Sequence, residues 1–327
     1  MEQARLFESI PVIDVGPLVD ERGPREDRLR AAREIGNACR DVGFFYIRNH
    51  GVPESHQREV LRLAEGFFHL PLEEKMRVFI GRSPHFRGYI PLGGEVTQGL
   101  KDWHEALDFR TEFLPDHPSV VAGKPLHGPN QWPDEPLGLK EVLQAHWAYM
   151  IKLGEAVTHG VALSLGLEKS VLDPYIGNAF CNMRILHYPT REGNDPGVGD
   201  GIGPHIDYGF LTILYQDDAS GLEVMNAAGN WVAAPPIPDT YVMNIGRVTQ
   251  IWTNDLYKAT QHRVRRVPRS RYSVPFFFNP DFDSIIEPLD ACCSAENPPK
   301  YPPYCHGEFM AERFDRSFGA NRALLSY

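Results

Sequence analysis

Two side chains one residue apart can share a target only where the backbone between them is extended, because alternate residues of a strand face the same way. His205 and Asp207 stand in that relation in GIGPHIDYGFLTILYQDD, residues 201–218. A second histidine, His262, comes much later, in ATQHRVRRVPRSRYSVPFFF, residues 259–278. It can join the first two only if the chain returns to an adjacent strand. Two imidazoles and one carboxylate on one side of a metal leave the opposite coordination positions open, which suits Fe(II) in oxygen-using enzymes.

The sequence between these motifs supports such a return. LTILY (211–215), GLEVM (221–225), WV (231–232) and YVMNI (241–245) are short, apolar or β-branched, and bounded by Gly, Pro, Asn or Asp. Short strands spaced in this way predict a sandwich or barrel, the jelly roll included.

His205, Asp207 and His262 are followed by Arg271 and Ser273, and NMRILHYP lies upstream. The stretch resembles the core of the 2-oxoglutarate, Fe(II)-dependent dioxygenases, in the branch that includes isopenicillin N synthase. The family's order, H-x-D, then H, then R-x-S, is met residue by residue. IPVIDV, GFFYIRNHGVP, FFHLPLEEK and RGYIPLG are similar to that branch's N-terminal region, and LHGPNQWP is similar to its microbial members. The resemblance implies a mainly β protein with flanking helices around a double-stranded β-helix, a cupin-like jelly roll. It implies Fe(II) on His205, Asp207 and His262, with 2-oxoglutarate and O₂ as co-reactants. The far carboxylate of 2-oxoglutarate falls to Arg271, Ser273 and Tyr188, for which a planar, always-charged guanidinium is suited. The reaction implied is hydroxylation, desaturation or cyclisation of a small organic substrate, coupled to decarboxylation of 2-oxoglutarate to succinate and CO₂. A carboxylate at Asp207 argues against halogenation, because halogenating relatives carry a small residue there. Arg247, after Gly246, departs from the acidic residue that many relatives carry there. Two alternatives stay open: an isopenicillin N synthase-type oxidase that uses no 2-oxoglutarate, and a non-catalytic binding or sensor module on the same fold.

A substrate pocket drawing on the N-terminal segment and the strand faces is expected to use Arg87, Tyr89, Trp103, Tyr208, Phe210 and Phe278. A basic anchor at Arg87 points to an acidic substrate.

At 327 residues, with 42% hydrophobic and 23% charged residues, the chain can bury a large core. A net charge of −10 argues against nucleic-acid and anionic-membrane partners. The five cysteines, Cys39, Cys181, Cys292, Cys293 and Cys305, form no C-x-x-C motif, which fits reduced thiols and a cytoplasmic location. No signal peptide is read at the N-terminus, and no apolar run approaches the ~18 residues of a membrane span. No obligate protein partner is inferred.

Four regions are expected within one compact unit. They are an N-terminal region (1–125), a connecting loop and long scaffold helix (126–177), the jelly-roll core (178–283), and a C-terminal tail and helix (284–327). Helices are predicted over 24–42, 53–68, 71–78, 137–167 and 305–318. The long one carries the stripe Leu143, Trp147, Met150, Gly154, Val157, Val161 and Leu165 at helical spacing. His50, His127, His146 and His159 read as structural. Asp217 and Asp218 read as a solvated turn pair. The glycine-rich loop 197–203 is followed by strand-like sequence, so it reads as a loop at the mouth of the site and not a dinucleotide loop.

Overall fold

A computed structural model describes residues 7–134, 138–193 and 195–316. The strands that build the site are, in chain order, β1 (Val12–Asp14), β2 (Phe44–Arg48), β3 (Gly88–Ile90), β4 (Val96–Thr97), β5 (Leu100–Lys101), β6 (Glu105–Arg110), β7 (Asn182–Tyr188), β8 (Ile202–His205), β9 (Leu211–Gln216), β10 (Leu222–Met225), β11 (Trp231–Ala233), β12 (Tyr241–Ile245), β13 (His262–Val264) and β14 (Arg271–Phe278). Eight form one sheet in the order β1-β2-β12-β9-β14-β7-β6-β3, and four form a second in the order β11-β10-β13-β8. From β7 to β14 the chain passes repeatedly between the two sheets, which is the double-stranded β-helix. The N-terminal strands extend the larger sheet at both edges: β1 and β2 beside β12, β6 and β3 beside β7. β4 and β5 pair as a small hairpin.

Alternation along the strands divides the interior in two. Leu186 and Tyr188 of β7 and Val242 of β12 face Leu222, Val224 and Val264 of the smaller sheet and fill the space between the sheets. The intervening residues, among them Ile185, Ile213, Met243, Val274, Phe276 and Phe278, face the helices. The helix Leu139–Ser164 lies on that second face. Of its predicted stripe, Leu143, Met150, Val157 and Val161 are buried, and Trp147 meets Phe276 edge-on with ring centroids 4.9 Å apart. Its predicted start, Leu137, lies outside the described residues, as does Phe318 of the predicted C-terminal helix, whose described span is His306–Phe314.

Helices Arg25–Asp41 and Glu54–Phe68 match their periodicity, but Pro53 stands before its helix as the cap and not as its first residue. Its extended backbone, with φ −62° and ψ 137°, turns the chain into the helix. Asp217 is no solvated turn residue. Its carboxylate accepts the backbone N–H of Tyr272 at 2.7 Å and of Ala219 at 2.9 Å, joining β9 to the start of β14. Asp218 is exposed, as expected, and pairs with Arg269. His146 is fully buried and stacks on His56, and burial depresses its pKa to about 3. Among the described residues no helix is long and apolar enough to cross a membrane.

Gly154 marks the closest approach of the long helix to β14. A Cβ there would lie 2.4 Å from Cδ2 of Phe278, whose ring is itself fully buried. Gly154→Ala should therefore lower the urea midpoint, although alanine is the better helix former. Overpacking of about 1–3 kcal/mol outweighs a propensity gain of about 1 kcal/mol. An unchanged or raised midpoint would show that this contact is loose.

Candidate metal centre and anion pocket

β8 ends on His205, and β13 runs antiparallel to it with His262 directly opposite. That pairing sets the two rings 4.2 Å apart, centroid to centroid. Asp207, two residues beyond His205, turns Oδ1 to within 3.6 Å of His205 Nε2 and 3.7 Å of His262 Nε2. The three ligand atoms lie within 4.8 Å of one another, the one such grouping of His, Cys, Asp and Glu side chains found among the described residues.

The outward nitrogens decide which atoms can ligate. His205 Nδ1 lies 2.9 Å from the Gly203 carbonyl, and His262 Nδ1 lies 3.2 Å from the Thr260 carbonyl. A carbonyl only accepts, so each Nδ1 carries the proton and each Nε2 presents its lone pair. The other oxygen of Asp207 accepts from Thr212 Oγ1 at 2.5 Å and from Asn244 Nδ2 at 2.7 Å. Thr212 and Asn244 are cross-strand partners in β9 and β12. The backbone is tied as well: Arg247 N donates to the Asp207 carbonyl at 2.8 Å. That approach requires glycine at 246, where a Cβ would lie 2.2 Å from the Gly209 carbonyl oxygen. Arg247 itself lies over the Tyr301 ring, away from the ligands.

Burial alone would push the Asp207 carboxyl up. His262, His205 and the two hydrogen-bond donors outweigh it, so its pKa falls below the usual carboxylate range. Burial and the neighbouring His205 depress His262 to about 4, although Asp207 opposes them. An anionic carboxylate beside the neutral His262 imidazole is the protonation state a divalent cation requires.

Arg271 and Ser273 project from β14 into the space between the sheets. Arg271 is paired across strands with Tyr188, whose ring lies 4.7 Å from its guanidinium carbon. Arg271 Nη1 donates to Ser273 Oγ at 3.3 Å and Nη2 to Gln216 Oε1 at 3.1 Å, while Nε has no partner. The side chain is fully buried, and no described carboxylate lies within ion-pair distance. Burial raises the Tyr188 pKa, against the lowering effect of Arg271. His262 and Arg271 stand on facing sheets and not on neighbouring strands, because residues 265–270 cross from one sheet to the other. Gln216 is a partner that sequence reading missed. It continues the inward series Thr212, Leu214, Gln216, so the period-two rule could have found it.

The six expected pocket residues separate. Trp103 and Tyr208 stay near the metal ligands. Trp103 N donates to the Asp200 carbonyl on the loop leading to His205, and the Arg191 guanidinium covers its ring. Tyr208 is 43% exposed beneath Arg313 and Phe309 of the C-terminal helix. The other four turn elsewhere. Arg87 is fully buried and donates to the carbonyls of Gly128, Thr111 and Leu126, clamping that loop. Tyr89 faces the helices and donates to Glu105 at 2.5 Å. Phe210 packs on Trp252, and Phe278 faces the long helix. Phe278 differs in parity from Arg271 and Ser273, so it is Phe277 that shares their face.

A metal gripped from one side, beside a buried cation with no acid of its own, leaves room for an anionic second reactant at the ion. That is the working plan of a non-haem iron oxygenase with a dicarboxylate cosubstrate. Comparison with known proteins makes the assignment specific: the chain belongs to the 2-oxoglutarate/Fe(II) oxygenase superfamily. Residues 179–280 match the model for that superfamily, and residues 10–135 match the N-terminal model described as that of the non-haem dioxygenase in morphine synthesis. The chain is 35% identical to a homoarginine-6-hydroxylase of Oryza sativa subsp. japonica, covering 95% of this chain and 98% of the relative. It is 33% identical to a 2-oxoglutarate-Fe(II) type oxidoreductase of Emericella nidulans, covering 96% and 91%. The crystal structure of a full-length Neurospora crassa protein in complex with alpha-KG superposes with a TM-score of 0.84 at 29% identity, covering 97% and 99%. The protein is thus a 2-oxoglutarate-dependent Fe(II) oxygenase.

Thr212 and Asn244 orient the carboxylate without facing the metal position themselves. Asn244→Ala should weaken Fe(II) binding roughly ten- to a hundredfold, read by anaerobic metal titration, while the fold persists. Wild-type affinity in that variant would show that Asp207 needs no such support.

Proposed function

We propose that the chain hydroxylates a small organic molecule, with His205, Asp207 and His262 holding Fe(II) and Arg271, Ser273 and Tyr188 holding 2-oxoglutarate. The observation that carries this reading is Arg271, a buried guanidinium without an acidic partner, opening into the same interior as the three ligand atoms. A buried charge is stable only when compensated. Asp217, brought near it by the pairing of β9 with β14, is occupied by backbone amides.

Iron with 2-oxoglutarate and O₂ supplies the oxidising chemistry when bound. The chain's own residues orient and protect. The two Nδ1–H···O=C bonds hold the imidazoles with Nε2 forward. Thr212 and Asn244 hold one oxygen of Asp207, so the other is aimed between the rings. Arg271 offers Nε and its two NH₂ groups to a carboxylate, and the Ser273 hydroxyl stands beside it as a further donor. Tyr188 closes one wall and keeps water from the guanidinium, which strengthens its hold on an anion. Tyr208, next to Asp207, and Trp103, tied to the loop before His205, are the expected pocket residues that a substrate would meet. The five cysteines are free thiols, which supports a reducing, cytoplasmic setting.

Arg271 separates this reading from its rival. Removing one partner of a buried charge pair costs roughly 3–5 kcal/mol, on the order of a hundredfold or more in affinity. Arg271→Ala should raise the 2-oxoglutarate requirement by that factor and leave Fe(II) binding nearly intact. Arg271→Lys should recover part of it, because the charge returns without the bidentate fork. Ser273→Ala should cost about 1.5–3 kcal/mol. Succinate formed against 2-oxoglutarate concentration is the measurement. An unchanged dependence in Arg271→Ala would sink the assignment. Oxidation by the wild type without any 2-oxoglutarate would mean that Arg271 binds the substrate's own carboxylate.

A further inference from the structure

A second buried guanidinium stands on the same inward face. Arg110 of β6 is 2% exposed, and its Nη2 has no hydrogen-bond partner. Its cross-strand partner is Asn182 of β7, 8% exposed, whose Oδ1 is likewise unpartnered. Strand register carries this pair to the metal centre. Asn182 is opposite Phe277 of β14, Phe277 opposite Thr212 of β9, and Thr212 opposite Asn244 of β12. One rung of the sheet therefore holds Arg110, Asn182, the half-buried Phe277, and the two side chains that grip Asp207. At about 4.8 Å between strands, Asn182 stands roughly 10 Å from Thr212, the reach of a small molecule lying along the rung over Phe277.

We propose that Arg110 and Asn182 form the far pole of the substrate site and select a neutral head group with N–H beside C=O: a carboxamide, lactam or cyclic imide. The proposal rests on the iron-and-cosubstrate reading of the neighbouring site. The chemistry follows from the atoms offered. Arg110 Nη2 only donates. The Asn182 carboxamide both donates and accepts, so it is complementary to another amide. A carboxylate would satisfy Arg110 but set an anion against Asn182 Oδ1. A cationic head group would meet the buried guanidinium. Burial lowers the Arg110 pKa to about 10, against the field of Asp108, two residues back on the same face, whose carboxylate accepts from Arg184 at 2.8 Å. Phe314 of the C-terminal helix covers Arg110 from the other side, its ring centroid 3.8 Å from the guanidinium carbon. Arg110 Nε donates to the Phe86 carbonyl at 3.3 Å, so Nη2 keeps a set direction.

The test uses one ring with three heads: benzamide, benzoate and benzamidinium. Retention of each by the full chain loaded with Fe(II) and 2-oxoglutarate under nitrogen is measured by equilibrium dialysis. Benzamide should be held roughly tenfold or more tightly than either charged analogue, the effect of one misplaced hydrogen bond to a buried group. Asn182→Leu should abolish that preference. Asn182→Asp, nearly the same shape, should shift it toward benzamidinium, and Arg110→Lys should weaken benzamide. Retained 2-oxoglutarate binding and an unchanged melting curve show that a variant is folded, and Asn182→Asp keeps the test decisive if Arg110→Lys is not. No preference among the three heads, a preference for benzoate, or an unaltered preference in Asn182→Leu overturns the proposal. Failure of the unmutated protein to retain 2-oxoglutarate overturns the cosubstrate reading and this one with it. Retention of 2-oxoglutarate without head-group preference overturns this one alone.

Discussion

A carboxylate buried beside two imidazoles persists only if each of its oxygens is occupied. In this protein that condition joins the two sheets. Asp207 follows the strand that carries His205, in the smaller sheet, yet the hydrogen bonds that hold it come from Thr212 and Asn244 in the larger one. The histidines are aligned by strand pairing within the smaller sheet alone. The site therefore forms only when both sheets are in register and face to face, which gives the jelly roll a chemical reason as well as an apolar one.

Alternation then divides the labour along every strand of the larger sheet. On β14, Arg271, Ser273 and Phe277 turn inward, while Phe276 and Phe278 meet the long helix. The inward face is unusually polar for a buried surface, and part of its charge is matched in place. Arg184 donates to Asp108 at 2.8 Å and to Glu95 at 2.6 Å, and His104 lies 2.7 Å from Glu95. Because Glu95 and His104 flank the β4–β5 hairpin, this network also fixes that hairpin beside the loop leading to His205. Two guanidinium groups on that face, Arg271 and Arg110, keep donor atoms with no partner in the protein. Such atoms are costly to bury without a ligand, so they carry the functional argument.

The N-terminal region is part of the same construction. β1 and β2 extend one edge of the larger sheet, and β6 and β3 extend the other. The inward residues of β6 thereby share rungs with the metal site. Burying both edges also removes the unpaired strand ends that an isolated jelly-roll core would present.

How far the sequence alone determines this molecule follows from the range of each interaction. His205 and Asp207 one residue apart, with His262 later, point to a metal and a β core, because their types and local spacing already restrict the chemistry, whereas an anion at Arg271 and Ser273 is legible only through the family resemblance. Helix stripes are equally local, and Leu143, Met150 and Val157 fall where periodicity puts them. Phe278 differs in parity from Arg271, so the period-two rule alone excludes it from the inward face. Thr212, Asn244 and Gln216 are different: they are neutral polar residues inside apolar runs, and only register between strands distant in sequence gives them partners. Arg87 shows the same limit from the opposite side. A lone arginine reads as a ligand anchor until the loop 111–128 is seen to wrap its guanidinium with carbonyls. Which charges are satisfied by the protein and which await a ligand depends on three-dimensional packing, because a long side chain can reach several sequence-remote partners and its sequence neighbours do not say which.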